Sequence, residues 1–275
     1  MPPFMASHAL GWLALFCYIG AELLAVVTLV APRPAWPRLT TLAIAAGLAL
    51  QFADLMHRAR ALGSVPYRTL GGSVSLFGWL LGIAYLVLLV RHRERAMGAF
   101  LIPMIVVATA AGLFLPEASS SGAAAPGTHG SVFALHVTLA MLAYAAFTFS
   151  FVLSILYLIQ DRQIRQRSTG LLFSRLPALE VIGRMNRTSV TIGLAALVVS
   201  LVLGAVWAEV VWTSLADPKV EWAVVTLVVY GFLLWMDRRG WEGPRVAVLS
   251  ILGFGVVLFS YTIVNLYFSR VHSFR

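Results

Sequence analysis

Long, almost uninterrupted apolar runs dominate this chain and restrict what it can fold into. A run of about 20 apolar residues lets a helix cross the ~30 Å hydrocarbon core of a bilayer. Charged residues make up only 11% of the chain, against about 25% in soluble domains. The sequence therefore predicts an all-α polytopic membrane protein with about eight transmembrane helices, in which residues 1–275 form a single transmembrane domain. The runs are Ala9–Ala31, Leu39–His57, Gly72–Val90, Met97–Leu115, Ser131–Gln160, Thr188–Val211, Trp222–Met236 and Val246–Ser269.

The distribution of Lys and Arg predicts the orientation in the bilayer. With the N-terminus outside, about 14 of the 20 lysines and arginines fall in inner connections, as the positive-inside rule requires. We therefore expect both termini outside. The longest inner connection, Asp161 to Arg187, contains LPALEVIGRMNR, which predicts a short amphipathic helix on the membrane surface. These loops explain the formal charge of +9 without nucleic acid as a partner.

One predicted outer connection, residues 204–222, carries most of the polar chemistry of its region. It reads GAVWAEVVWTSLADPKVEW. Three tryptophans surround an acid and a base in it: Trp207, Trp212, Trp222, Asp217 and Lys219. Tryptophans often lie at the lipid headgroups, so an aromatic belt is one interpretation. The other is a flat, rigid platform for a large aromatic ligand.

Two histidines are predicted on the same outer face as this segment. His136 lies near the outer end of the fifth span, and His272 follows the eighth. Neutral imidazole is a common ligand of metals and haem iron, so an external bis-His haem site is one hypothesis. The alternative is a packed His136 and a loose His272 in the terminal segment. Cys17 is the only cysteine, which excludes an intramolecular disulfide or thiol pair.

The order of these features resembles the cytochrome c assembly protein family, of the CcsA/ResC type used in System II cytochrome c maturation. The matching pieces are LHVTLAMLAY, GAVWAEVVW followed by DPKVEW, RGWEGPRVAVLSILGFGVVLFSYTIVNL, VHSF, and, in the N-terminal half, the stretch 63–79 followed by MGAFLIP. That family has a tryptophan-rich external WWD segment flanked by two external histidines.

The resemblance implies a membrane protein of the bacterial inner membrane that holds b-type haem transiently and delivers it to apocytochrome c. It implies that His136 and His272 are axial ligands of the haem iron. The tryptophans of the 204–222 segment would form the haem platform, and Asp217 and Lys219 would orient the loop or contact the propionates. A ResB-like protein is the implied partner, and no residue of this chain is predicted to be catalytic. Whether the chain is a subunit of a haem-attachment synthetase or only an assembly factor stays open.

Three departures from the family pattern matter. Relatives continue the second tryptophan into a run such as WGxxWxWDPKE, whereas this chain has the shorter WTSLADPKVE. Gln51 and Leu234 stand where the family's intramembrane histidines are expected. An internal haem site is therefore expected to be missing or altered, which leaves external haem contact intact.

Two other functions remain open from the sequence. Eight-span relatives called HemX are linked to control of haem synthesis at glutamyl-tRNA reductase, and the altered WWD segment fits that regulatory role. A small-solute carrier using the intramembrane acids Glu22 and Asp54 is the third hypothesis. No broken-helix pair with inverted repeats supports the carrier.

Overall fold

The computed structural model describes residues 8–62, 67, 69–115, 130–167, 175–211, 218–241 and 243–259. All regular secondary structure in these residues is helical. Within them, 7 helices are long and apolar enough to cross a membrane, and the last is a shorter apolar helix. The predicted all-α polytopic membrane fold is confirmed. The helices are α1 (Ala9–Val30), α2 (Trp36–Leu62), α3 (Leu70–His92), α4 (Gly98–Phe114), α5 (Ser131–Arg165), α6 (Leu179–Val211), α7 (Pro218–Arg238) and α8 (Gly243–Phe259).

Two helices extend well beyond the apolar runs inside them. Helix α5 has 35 residues, a length of roughly 52 Å at a rise of about 1.5 Å per residue. Helix α6 begins at Leu179, so the prediction of a separate surface helix at LPALEVIGRMNR was wrong. These residues are the first turns of α6, because a Glu180–Arg184 ion pair supports them and no proline separates them from the apolar run.

The C-terminal end of α2 also differs from its prediction. The predicted second span ended at His57, but α2 continues to Leu62. The Arg58 guanidinium lies 2.7 Å from the Asp54 carboxylate, and the two side chains are only 4% and 2% exposed. The acid in the second span is thus compensated one helical turn away, as a buried charge must be.

The chain divides into two compact units. The first comprises Met1–Ser121 with Arg175–Pro177, and the second comprises Gly122–Ser174 with Ala178–Arg275. The single transmembrane domain stays a prediction.

In the first unit, small residues allow helices to approach closely. Helix α1 packs on α2 and α4, and α3 packs on α4. A side chain at Gly112 of α4 would come within 2.7 Å of the backbone nitrogen of Ser75 in α3. Such glycine contacts drive helix association in lipid, where van der Waals packing replaces the hydrophobic effect.

The second unit is built around α5, which packs along α6 and against α8. In its core the Phe147 ring stacks on Tyr230 with ring centroids 3.7 Å apart. A buried polar cluster joins three helices: Ser150 of α5 donates to Asn186 of α6 at 2.6 Å, and Asn186 donates to Ser250 of α8 at 3.2 Å. Since hydrogen bonds between membrane helices resist sliding, this cluster fixes the register of α5 against α6 and α8.

The predicted orientation can be tested with reporter fusions. We expect reporters after Ala123 and after Thr213 to be external and one after Thr169 to be cytoplasmic, because most lysines and arginines then lie inside. Alkaline phosphatase and fluorescent-protein fusions at the same positions measure this. A cytoplasmic signal at Ala123 would invert the orientation and place His136 at the inner face.

Candidate functional site

His136 is held by a reciprocal pair of hydrogen bonds to Ser200. It lies in the second turn of α5, and its ring nitrogen Nδ1 is 2.7 Å from the Ser200 carbonyl oxygen of α6. The Ser200 hydroxyl in turn donates to the His136 carbonyl oxygen at 2.8 Å. A carbonyl oxygen can only accept, so Nδ1 carries a proton, and in the neutral ring the lone pair is on Nε2. The structure therefore presents His136 in the tautomer that ligates through Nε2.

The His136 ring lies against the backbone of α6 at Gly204. A side chain at Gly204 would come within 2.7 Å of ring atom Cε1 and 2.8 Å of Nδ1. Carbon atoms of real side chains do not approach this closely. Only glycine permits this position of the imidazole.

An aromatic pair flanks the imidazole on the predicted outer side. Phe133 lies one turn before His136, with ring centroids 6.2 Å apart. Trp207, one turn after Gly204, packs on Phe133 with centroids 4.7 Å apart and is only 7% exposed. The structure thus brings two of the predicted site residues together, with Phe133 between them.

The other predicted site residues fall in different places. Trp222 is half-buried in the first turns of α7 and packs on Phe259 of α8, with centroids 4.6 Å apart. Lys219 lies in the first turn of α7. Trp212, Asp217 and His272 lie outside the described residues. Both ends of the 204–222 segment are helical, since α6 runs to Val211 and α7 begins at Pro218.

Sequence reasoning missed Ser200, Gly204 and Phe133. Phe133 could have been found by its spacing, because residues three apart on a helix share a face. Ser200 and Gly204 are also one turn apart and precede Trp207 on α6. Their relation to His136 depends on the α5–α6 register, which crosses 64 residues of sequence.

Gln51, at one of the two positions expected to hold an intramembrane histidine, is fully buried in a polar network. Its carbonyl oxygen accepts from the Tyr18 hydroxyl at 2.9 Å. Its amide nitrogen lies 3.0 Å from the Ser75 carbonyl oxygen and 3.3 Å from the Thr109 hydroxyl. These bonds join α1, α2, α3 and α4, so Gln51 has a structural role in the first unit.

Leu234, at the other position, is partly buried against the apolar core of the second unit. Neither position provides an imidazole. Among the residues that the structure describes, no cluster of three or more His, Cys, Asp or Glu side chains is arranged to hold a metal ion. His136 differs from these positions in having an imidazole that is held by Ser200.

The family described as "Cytochrome C assembly protein" matches residues 67–272. A protein named "Cytochrome c biogenesis protein CcsA" from Pyropia yezoensis is 29% identical, over 80% of this chain and 82% of its own length. Proteins of the same name from Porphyra purpurea and Synechococcus sp. (strain CC9902) are also 29% identical. These two alignments cover 86% of this chain, and 86% and 87% of the relatives.

Proposed function

The chain belongs to the cytochrome c assembly protein family, and from that premise we propose that it holds haem at the outer face of a bacterial cytoplasmic membrane for delivery to apocytochrome c. A role in cytochrome c biogenesis follows from the family and its CcsA relatives. The observation that carries the finer proposal is the bond from His136 Nδ1 to the Ser200 carbonyl oxygen, 2.7 Å long.

That bond is what an iron-ligating imidazole needs. Histidines that bind metals almost always donate their second ring N–H to a carboxylate, a carbonyl or water, which fixes the tautomer and makes the ligating nitrogen more basic. Here the acceptor is a helix backbone carbonyl, which is fixed in position. We assign His136 as one axial ligand and His272 as the other.

The surrounding aromatic residues supply the apolar contact area that a porphyrin requires. Phe133 lies beside His136 and packs on Trp207, and both side chains are only 7% exposed, so they form the packed base of the platform. Trp212 and Trp222 complete the platform in this proposal. Asp217 and Lys219 orient the connecting loop or contact the two propionates, where a lysine provides an opposite charge.

The side chains at the two positions expected to hold intramembrane histidines limit the role of this chain. Gln51 is engaged with Tyr18 and Ser75, and Leu234 packs in an apolar core. We infer that haem does not bind at these positions and reaches the outer site by another route. Cys17 is the only cysteine, so the client thiols must be kept reduced by other proteins. We assign presentation of the client to a ResB-like partner.

Gln51 and Leu234 favour one alternative function, that of a HemX-like regulator of haem synthesis. A regulator needs no internal haem path. Deleting the gene separates the two functions. We expect covalent haem in c-type cytochromes to fall, measured by haem staining of denaturing gels, while the level of glutamyl-tRNA reductase stays unchanged. Normal cytochrome c with an altered reductase level would instead support regulation. Complementation with the wild-type gene is the control.

A further inference from the structure

We propose that Ser200 and Gly204 are positioning residues that hold the His136 imidazole in one tautomer and one orientation against α6. This inference rests on the proposed haem site, because its purpose is to present Nε2 to iron. It adds Ser200 and Gly204 to a site that the sequence assigned to His136, His272 and five side chains of the 204–222 segment.

The first step concerns Ser200, which fixes both the ring and the helix that carries it. Its carbonyl oxygen accepts from Nδ1 at 2.7 Å, and its hydroxyl donates to the His136 carbonyl oxygen at 2.8 Å. The hydroxyl oxygen also lies 3.1 Å from Nδ1. Ser200 therefore fixes the position of His136 along α6. It also determines which ring nitrogen of His136 is protonated. The Ser200 hydroxyl is fully committed to this pairing, with the residue only 1% exposed.

The second step concerns Gly204, one turn further along α6. A Cβ atom added at Gly204 would lie 2.7 Å from Cε1 and 2.8 Å from Nδ1 of His136. Contacts below 3.0 Å require something to move. The ring is the part that must give way, because the backbone of α6 is held by its own helical hydrogen bonds. Any larger residue would push the imidazole off the Ser200 carbonyl.

The third step is the consequence for ligand binding. Loss of an outer-shell partner typically weakens metal binding by about 10- to 100-fold. Displacement of the ring removes the Nδ1 bond and also changes the direction of Nε2. The geometry therefore points to Gly204 as a determinant of haem affinity, although no atom of Gly204 contacts the haem iron.

The variant Gly204→Ala tests this with little other disturbance. Alanine favours a helix more than glycine does, so the helix backbone itself is not weakened. The matched control is Gly231→Ala in α7 of the same unit, where nothing lies within 4 Å of the added side chain. Ser200→Ala removes the hydroxyl bonds but keeps the carbonyl acceptor. We therefore expect a smaller effect from Ser200→Ala than from Gly204→Ala.

The primary measurement needs no bound haem. Nitrogen-15 NMR of histidine-labelled, haem-free protein in detergent micelles reports which ring nitrogen of His136 is protonated, with His136→Gly assigning the signal. We expect the Nδ1-protonated tautomer in the wild-type protein and in Gly231→Ala, and loss of that single tautomer in Gly204→Ala. An Nε2-protonated ring in the wild-type protein would overturn the proposal. So would an unchanged signal in Gly204→Ala.

The second measurement is haem affinity, by titration of the purified variants. We expect Gly204→Ala to bind about 10- to 100-fold more weakly than Gly231→Ala. The difference should vanish in a His136→Gly background, because the substitution acts through the ring. An equal loss in that background would contradict a positioning role. A wild-type protein with the expected tautomer but no haem affinity would refute the haem proposal and leave the positioning of the ring established.

Discussion

Replacing His136 with Gly is expected to abolish the spectrum of low-spin haem and to stop cytochrome c maturation. The substitution removes a proposed axial ligand, so haem affinity should fall by more than the roughly 10- to 100-fold that loss of an outer-shell partner causes. Added imidazole should partly restore both, since the small molecule can occupy the vacated position and provides the same nitrogen donor. Absorption spectra of the purified variant and haem staining of cell extracts measure the two effects.

The control for this substitution is His57→Gly. His57 also lies in a helix, α2, and is exposed there, so the two variants share the same loss of helix propensity, which is less than the ~1 kcal/mol that separates glycine from alanine. We expect His57→Gly to keep the spectrum and the cytochromes. If His136→Gly retained haem with an unchanged spectrum, His136 would not be a ligand. If imidazole failed to restore either property in a well-inserted variant, a structural role for His136 would be the better explanation.

Replacing Trp212 with Ala should have the next largest effect. In the proposed site this indole covers the haem face, and burial of a large aromatic side chain contributes about 1.5–3 kcal/mol. Its loss should weaken haem binding by roughly 10- to 150-fold and lower the yield of cytochrome c. Insertion into the membrane should stay normal, because Trp212 lies outside the predicted apolar spans Thr188–Val211 and Trp222–Met236. Haem staining, normalised to the membrane level of the variant, measures the result.

Trp235→Ala is the matched control for this variant. Trp235 lies toward the opposite end of α7 from Trp222 and is 52% exposed, with Arg239 over its ring, as is common for an aromatic residue at a membrane interface. We expect this control to leave cytochrome c unchanged. A nearly silent Trp212→Ala would mean that the tryptophans of the 204–222 segment form an aromatic belt only.

The apolar runs predicted the helices well because a single run of about 20 residues in lipid can satisfy its backbone within itself only as a helix. The ends of the helices were harder to predict, for a specific reason in each case. Helix α2 extends past His57 because Arg58 pairs with Asp54 on the helix face. Helix α6 begins early because Glu180 and Arg184 stabilise its first turns. In both cases charged residues that signal a loop by composition are paired at a spacing of four residues.

Some residues of the candidate site could also be predicted from the sequence, and others could not. His136 and Trp207 could be selected from the sequence because imidazole is a common ligand of haem iron and Trp207 lies in a segment that carries three tryptophans. Ser200 and Gly204 could not, since a serine and a glycine in a membrane helix are most often packing residues. Their role depends on the register of α5 and α6, because in this register the His136 imidazole occupies the space next to the Gly204 backbone. Gln51 likewise looked like a lost ligand until its bonds to Tyr18 and Ser75 showed its structural use.

The absorption spectrum of the protein purified in mild detergent, after growth with excess haem precursor, tests the central claim most directly. In the proposed site, two imidazoles, from His136 and His272, impose a strong axial field on the iron. The wild-type protein should therefore show six-coordinate, low-spin haem, and the double variant His136→Gly/His272→Gly should show none. A wild-type protein without haem, or a double variant that retains the low-spin spectrum, would contradict haem binding by these two histidines.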